Sequence, residues 1–143
     1  MKTVRTITLL LFGFAFCLLM ACSKKEKEAP DTREQFLGAW KGKMNAKLPL
    51  LDTAKNVTMT VSKTANSSNK LNFTADQGLT FTATADGNNF TIDERTAKIN
   101  YLGNDFPLAL NGSGTVNGKT MTGSGTATYL TYSGPWSMNL TKQ

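Results

Sequence analysis

Residues 79–92 read LTFTATADGNNFTI, and this segment carries the clearest structural signal of the sequence. Apolar residues occupy every second position on both sides of its centre, a period typical of β-strands with one buried face. Pairing Ala85 with Phe90 and Ala83 with Ile92 sets apolar side chains opposite one another. It also leaves Gly87-Asn88 as a two-residue loop of the kind that hairpin turns favour. The stretch therefore predicts an antiparallel β-hairpin.

The same alternation continues through most of the chain after residue 36. Inward positions are predicted at Phe36, Gly38, Trp40, Gly42 and Met44; Val57, Met59 and Val61; Leu71, Phe73 and Ala75; Leu79 and Phe81; Ile99 and Tyr101; and Trp136, Met138 and Leu140. Consecutive hairpins with short loops make a meander, and eight or nine strands are enough to close one. We expect residues 31–143 to form an all-β antiparallel up-and-down barrel, with a two-sheet β-sandwich as the alternative.

Two further turns predict strand registers. Pairing Phe73 with Phe81 leaves residues 76–78 as a three-residue loop whose Gly78 supplies the positive φ. Asn117-Gly118 is the strongest hairpin signal in the chain, and we centre the next turn on it. The pairs predicted around that turn are Val116 with Lys119, Gly114 with Met121, Gly112 with Gly123, Leu110 with Gly125 and Leu108 with Ala127.

Composition excludes most familiar enzymes. The chain has 143 residues, a formal net charge of +6, two cysteines and no histidine. Histidine is the commonest general base, and no carboxylate or cysteine cluster has metal-ligand spacing. Asp93 and Glu94 are adjacent, so on a strand they point to opposite faces and do not form a glycosidase pair. We predict that the protein is not an enzyme and has no catalytic residue, metal or cofactor.

Residues 1–21 are typical of a bacterial signal peptide. Lys2 and Arg5 precede an apolar run over residues 7–20, which is too short to be a good membrane span. The run ends in Leu19-Met20-Ala21-Cys22, which resembles the lipobox of bacterial lipoproteins. The resemblance implies cleavage before Cys22 and lipid attachment to its sulfur. Residues 22–30 then form a charged tether.

The lipobox resemblance implies a location in the cell envelope, most simply the outer membrane, on either its periplasmic face or the cell surface. The tether is similar to the surface-export signals of Bacteroidota lipoproteins. Outward strand positions carry Thr, Ser, Asn and Lys, whereas a membrane-spanning barrel needs an apolar outer band. We therefore expect the membrane to be a partner only through the lipid on Cys22. Secretion argues against nucleic acid as a partner, and the sequence does not indicate an oligomeric state.

Residues 31–40 predict a short helical turn followed by Gly38-x-Trp40 at the start of the first strand. This resembles the opening of lipocalin-like domains, which are eight-stranded barrels that often hold small apolar ligands. The resemblance implies that Trp40 closes one end of the barrel. Family members pack a late Arg over this Trp, but no Arg follows Arg95 here and Lys142 is a weaker substitute. The chain is also similar to small Bacteroidota lipoproteins with a Thr/Gly-rich meander, a likeness that implies no activity.

Several inward residues are candidates for lining a ligand pocket. They are Phe73, Phe81, Phe90, Tyr101, Gly112, Gly114, Met121, Gly123, Gly125 and Trp136. The four glycines belong to one hairpin, where missing side chains would open space for a ligand. Alternatively, they relieve bending at a barrel corner or let a Trp ring pack flat. We further expect Trp40 to be a structural plug, with Gly38 and Gly42 clearing space for its ring.

Two surface features are candidates for other interactions. The basic residues Lys41, Lys43, Lys47, Lys55, Lys63 and Lys70 fall mainly in the first half of the domain. They would attract anionic glycans, lipid headgroups or an acidic partner, although a solvated face explains them equally well. Asp52-Thr53-Ala54 is similar to the O-glycosylation sequon of Bacteroidota, with Thr53 as the acceptor in a predicted loop.

Two functions of different classes remain open on this sequence. The first is a non-enzymatic binding module for a small apolar or amphipathic ligand held inside the barrel. The alternative is a structural or inhibitory envelope protein whose solid barrel binds another protein or an anionic glycan through its loops or basic face. Interior space separates the two, because a ligand pocket needs several hundred Å³ and a packed core has almost none.

Overall fold

The computed structural model describes residues 31–48, 51–93 and 97–143, with only the backbone described at residues 48, 51–53 and 101. These residues belong to one compact unit, Asp31–Gln143. Its strands are β1 Gly38–Leu48, β2 Leu51–Lys63, β3 Lys70–Ala75, β4 Leu79–Asp86, β5 Asn89–Ile92, β6 Lys98–Tyr101, β7 Asn104–Pro107, β8 Ala109–Asn117, β9 Thr120–Tyr129 and β10 Tyr132–Lys142. The predicted signal peptide, Cys22 and the tether lie outside the described residues.

Eight strands close into an antiparallel barrel. Around the ring the order is β1, β2, β3, β4, β5, β8, β9 and β10, and β10 pairs back to β1. The remaining hairpin, β6–β7, is inserted in the chain between β5 and β8, and β6 pairs with the first residues of β4. The prediction of an all-β up-and-down barrel is confirmed, with this hairpin as an addition. Among the described residues no helix is long and apolar enough to cross a membrane.

The stretch that suggested the fold has the predicted register. Ala85 pairs with Phe90 and Ala83 with Ile92, and Gly87 in the turn has a φ of 55°. The three-residue turn before it is also as predicted, with Phe73 opposite Phe81 and Gly78 at a φ of 79°. Turn chemistry and apolar pairing agree at both places, so the register is well determined.

The predicted register of β8 and β9 is wrong by two residues. Val116 pairs with Met121 and Asn117 with Thr120, so the central turn residues are Gly118-Lys119. Gly118 carries the positive φ of 59°. A slip of two positions keeps every side chain on its own face, so the alternation could not detect the error. Pairing two buried apolar residues, Val116 and Met121, favours the observed register over one that sets Val116 against Lys119. The other predicted pairs shift with it: Gly114 pairs with Gly123, Gly112 with Gly125 and Leu110 with Ala127.

The barrel interior is an apolar core contributed by all eight ring strands. Its largest fully buried side chains are Trp40, Phe36, Phe73, Phe81, Phe90, Met59, Leu71, Leu110, Met121, Leu140 and Val116. Burial alternates along the strands, as in β4, where Leu79, Phe81, Ala83 and Ala85 are inside. Burying each large side chain contributes about 1.5–3 kcal/mol, which is the main stabilising force of a domain this size.

Residues 31–37 close one end of the barrel, which we call the closed end. They form tight turns, with backbone hydrogen bonds from Glu34 to Asp31 and from Phe36 to Arg33, where a helical turn was expected. Phe36 is fully buried, and its carbonyl accepts a 2.7 Å hydrogen bond from Trp40 Nε1. Trp40 is also fully buried, and its role as a plug stays a prediction.

Polar contacts hold this closing segment in place. Asp31 binds Arg33 and Lys63, each at 2.8 Å, and Arg33 also donates to the carbonyl of Ser67. Hydrogen bonds from Arg33 and Lys63 hold the pKa of Asp31 well below its ordinary value. Gln35 Nε2 donates to the carbonyl of Gly87 at 2.6 Å. The closing segment is therefore tied to β2 and to two turns.

The glycines beside Trp40 do not have the role we expected. A Cβ at Gly42 would lie closer than 3.0 Å to backbone atoms of Asn139 and Leu140, on the paired strand. Gly42 therefore allows β1 to approach β10 and does not clear space for the indole ring. Gly38 has a φ of 109°, and a Cβ there would meet Lys142 Cε at 3.8 Å. Its backbone conformation, more than ring space, accounts for glycine at this position.

Candidate functional site

The four interior glycines form two cross-strand pairs, Gly112 with Gly125 and Gly114 with Gly123. Aromatic rings cover them from inside the barrel. A Cβ at Gly123 would lie 3.3 Å from both Phe90 Cζ and Trp136 Cη2, and one at Gly112 would lie 2.7 Å from Trp136 Cζ2. The absent side chains therefore make room for Phe90 and Trp136, which favours the alternative reading in which a ring packs flat on the glycines.

The same glycines also permit a close backbone approach. A Cβ at Gly112, Gly114 or Gly125 would lie closer than 3.0 Å to a carbonyl oxygen of the paired strand. Side chains are excluded at such distances, so this hairpin reaches its geometry only with glycine. Gly123 differs, because its nearest neighbour would be the flexible end of Met138 at 3.0 Å.

The other predicted pocket residues pack against one another. Phe73 and Phe81 stack with ring centroids 4.6 Å apart, and Phe73 lies 5.3 Å from Phe90. Phe36 meets Phe90 edge to face at 6.1 Å. Trp136 Nε1 donates to the carbonyl of Asn111 at 2.9 Å, and Met121 is fully buried. The structure thus brings the candidates together as core, while the Tyr101 side chain lies outside the described residues.

The outward side of β8, β9 and β10 is uncharged and mostly polar, with Ala109 and Pro135 as apolar positions near one end. We call this surface the polar face and define it as Asn111, Ser113, Thr115, Asn117, Thr120, Thr122, Ser124, Thr126, Ser137, Asn139 and Thr141. All are exposed except Ser137, which is half-buried. Hydroxyl and amide groups both donate and accept hydrogen bonds. The polar face can therefore form hydrogen bonds with a neutral, polar ligand.

Strand pairing places two lysines at the margin of the polar face. One register row runs from Thr122 through Asn139 to Lys43, and the next runs from Thr120 through Thr141 to Lys41. Neighbouring strands are about 4.8 Å apart, so Lys43 begins roughly 10 Å from Thr122. Neither lysine has an ion-pair partner among the residues that the structure describes.

A shallow depression lies within the polar face. It has a volume of about 340 Å³ and is lined by Asn89, Ser113, Gly114, Thr115, Thr122, Gly123 and Ser124. The Gly114–Gly123 pair lies between the outward side chains of β8 and β9, while Phe90 covers the inner side of the same pair. The depression therefore opens to solvent and is separated from the core by one layer of backbone.

The predicted basic residues do not form one continuous surface. Lys41 and Lys43 point outward from β1, whereas Lys55 shares the side of β2 that carries buried Val57. Lys63 binds Asp31 and Glu34, and Lys70 binds Asp93 at 2.7 Å. Lys47 is the cross-strand neighbour of Asp52.

Asp93 is a carboxylate held by three side chains from two neighbouring strands. It accepts hydrogen bonds from Lys70 Nζ at 2.7 Å, Thr84 Oγ1 at 2.8 Å and Thr82 Oγ1 at 3.0 Å. Partial burial raises the pKa of this group, but the three hydrogen bonds outweigh it and the net pKa is lowered. The cluster joins β3, β4 and the end of β5. In the part of the chain with described side chains, no three His, Cys, Asp or Glu residues converge on a metal-sized site.

Thr53 does not lie in a loop as predicted. Its backbone is inside β2, where it pairs with Ala46 of β1, and its side chain lies outside the described residues. The long β1–β2 hairpin, whose pairing continues to Leu48 and Leu51, absorbs this segment into a strand.

The polar face was not among the predicted site residues, although the sequence contains a signal for it. Outward positions over three consecutive strands carry no charge, but the sequence analysis used the outward polar residues only as an argument against a membrane-spanning barrel. The depression could not be found this way, because it depends on the corrected register of β8 and β9. Comparison with protein-family models, curated proteins and solved structures found no match to this chain.

Proposed function

We propose that the protein is a lipid-anchored, non-enzymatic binding module of the cell envelope whose solid barrel binds an anionic glycan on its outer surface. The observation that carries the proposal is the pairing of the uncharged polar face with two lysines that have no described acidic partner, Lys41 and Lys43. The packing of Phe90 and Trp136 over the glycine pairs supports an external site over an internal one.

The chemistry of an anionic glycan matches this surface in two respects. Its hydroxyls exchange hydrogen bonds with Ser, Thr and Asn side chains, which act as both donors and acceptors. Its carboxylates or sulfates are attracted to ammonium groups at the margin, a contribution that salt screens because both partners are exposed. A repeating polymer also contacts several register rows at once, so weak contacts add up along its length.

The membrane anchor belongs to the same proposal. Lipid on Cys22 would hold the barrel at the outer membrane through the tether of residues 22–30. Two or more acyl chains give stable anchoring, whereas one gives marginal binding. The barrel would then present its outer surface to envelope or surface polysaccharides.

The test is an equilibrium titration of the detergent-solubilised full chain with polygalacturonate and with neutral dextran of matched length. We expect binding of polygalacturonate that weakens between 50 and 300 mM salt, because the screening length falls from about 14 Å to about 6 Å over this range. The double variant Lys41→Gln/Lys43→Gln should bind it about tenfold more weakly. The matched control Lys55→Gln/Lys98→Gln removes the same charge from β2 and from β6, away from the polar face, and should lose far less.

Two results would overturn the proposal. Equal losses in the two double variants would mean that only net charge matters. The second is saturable 1:1 binding of a fluorescent fatty acid that Gly123→Leu abolishes without loss of stability, which would assign function to the barrel interior. In a close-packed core, Gly123→Leu instead costs roughly 1–3 kcal/mol through overpacking.

A further inference from the structure

We infer that the depression over the Gly114–Gly123 pair is a subsite for one uncharged sugar ring, and that it makes the protein selective for glycans in which neutral and acidic rings alternate. This inference rests on the proposed function and specifies its ligand class. The volume of the depression, about 340 Å³, and the chemistry of its lining carry the inference.

The side chains around the depression are all neutral and polar. Ser113, Thr115, Thr122 and Ser124 contribute four hydroxyls, and Asn89 contributes an amide. Each of these groups donates and accepts, so together they match a ring that carries several hydroxyls. An acidic ring would have to give up its hydration without a cation in the lining to compensate, which is costly for a charged group.

The floor of the depression is fixed by the fold. Phe90 is 1% exposed and packs on the inner side of Gly114, so the floor does not collapse inward when a ligand binds. Thr115 and Thr122 are cross-strand partners, as are Ser113 and Ser124. The backbone positions that carry the four hydroxyls therefore keep a set spacing, which reduces the entropy lost on binding.

The position of the lysines indicates where an acidic ring of the ligand would lie relative to the neutral ring. Thr122 and Lys43 lie in one register row with Asn139 between them. A neutral ring in the depression would itself lie about two strand spacings, roughly 10 Å, from the base of Lys43, so a neighbouring ring that extends toward β1 comes closer to this lysine. A long, flexible lysine reaches that ring more easily than it reaches the depression itself. The arrangement fits an acidic ring beside a neutral one.

The experiment compares two anionic polymers and one neutral oligosaccharide. Hyaluronate alternates a neutral N-acetylhexosamine with a uronic acid, whereas every ring of polygalacturonate is acidic. The variant Thr115→Val/Thr122→Val removes two hydroxyls from the depression and keeps the β-branched shape. We expect it to weaken hyaluronate binding about tenfold and to leave polygalacturonate binding within twofold. The matched control is Thr74→Val/Thr80→Val, another outward cross-strand pair, and it should change neither.

A neutral ligand separates the subsite from the proposed function. In the ¹⁵N-labelled full chain, chitotetraose should shift the amide resonances of Gly114 and Gly123, and Thr115→Val/Thr122→Val should suppress those shifts. Amide shifts caused by chitotetraose, without any binding of the acidic polymers, would retain the subsite and reject the anionic-glycan function. Binding of both acidic polymers with no response at Gly114 and Gly123, or equal losses for both in the Thr variant, would retain the function and reject the subsite. Absence of binding by all three ligands would reject both.

Discussion

Lys142 lies over Trp40, with its Nζ 5.3 Å from the centroid of the indole ring, and the two residues are cross-strand partners on β10 and β1. The same ammonium donates to the carbonyl of Gln35 at 3.0 Å. A cation over an indole face is attracted by the ring's electron density. The Lys142 side chain therefore links β10 to the buried Trp40 of β1 and to the closing segment.

Lys142→Met should lower the stability of the barrel by about 1–2 kcal/mol, because it removes the cation–π contact and one hydrogen bond but keeps the apolar stem. At roughly 4 °C per kcal/mol for a domain of this size, thermal unfolding by circular dichroism resolves the change. Lys142→Arg keeps the charge and should stay close to the wild type. A Met variant as stable as the Arg variant would show that the ammonium contributes nothing.

Gly114→Ala should destabilise the barrel far more than Gly123→Ala, although the two glycines are cross-strand partners. A Cβ at Gly114 meets the Thr122 carbonyl and the Phe90 ring, both held in place, whereas at Gly123 it meets the mobile end of Met138. We expect a cost of about 3 kcal/mol or more at Gly114 and about 1 kcal/mol at Gly123. Denaturant unfolding measures both, and equal costs would contradict the packing of Phe90 on this pair.

Asp93→Asn should reduce stability by about 1 kcal/mol at pH 7, a modest figure because the Lys70 side chain is 42% exposed. The folded-state pKa of Asp93 is lowered, so its contribution is present above the ordinary carboxyl value of 3.8 and is lost as the pH falls through the lower folded-state value. The difference between wild type and variant should therefore shrink from pH 7 to pH 2.5 in urea unfolding. Asp86→Asn, at an exposed turn, is the control. A difference that stays constant with pH would exclude the charge of Asp93 as its cause.

Cys22→Ala should abolish incorporation of radiolabelled fatty acid and release the protein from the membrane fraction. The reason is chemical, since the only other cysteine, Cys17, lies within the predicted signal peptide. Metabolic labelling followed by membrane fractionation provides the measurement, with Cys17→Ala as the matched control that should remain lipidated. Labelling that persists in Cys22→Ala would remove the lipid anchor from the proposed function.

Much of the fold could be predicted because turn chemistry and apolar alternation support each other. In the hairpin of residues 79–92 both point to the same register, and the structure has it. Around Asn117-Gly118, turn chemistry and alternation do not distinguish the predicted register from the observed one. A shift of two residues keeps Val116 inside and still leaves a glycine in the turn. Only the packing of Val116 on Met121 decides between the two registers.

The candidate site was harder to predict because glycine has no side chain, so its polarity and size do not indicate what surrounds it. Gly112, Gly114, Gly123 and Gly125 are compatible with an empty pocket, a bent strand or a covering ring. Which applies depends on where Phe90 and Trp136 point, and those residues come from strands distant in the sequence. Likewise, Lys142 was expected to be a weak partner of Trp40, yet the β1–β10 pairing places it directly over the ring.

The closure of the ring by β1 and β10 also determines when the barrel can fold. The contact between Gln35 and Lys142 joins residues 107 positions apart, and the backbone of Gln143 donates to Ala39. Joining such distant segments is the slow step of forming a barrel, because the loop entropy is lost before the contacts form. The barrel therefore cannot be completed until β10 has left the ribosome and can pair with β1. A chain exported before that moment would still be unfolded enough to pass through a translocation channel. Its barrel would close only after translocation.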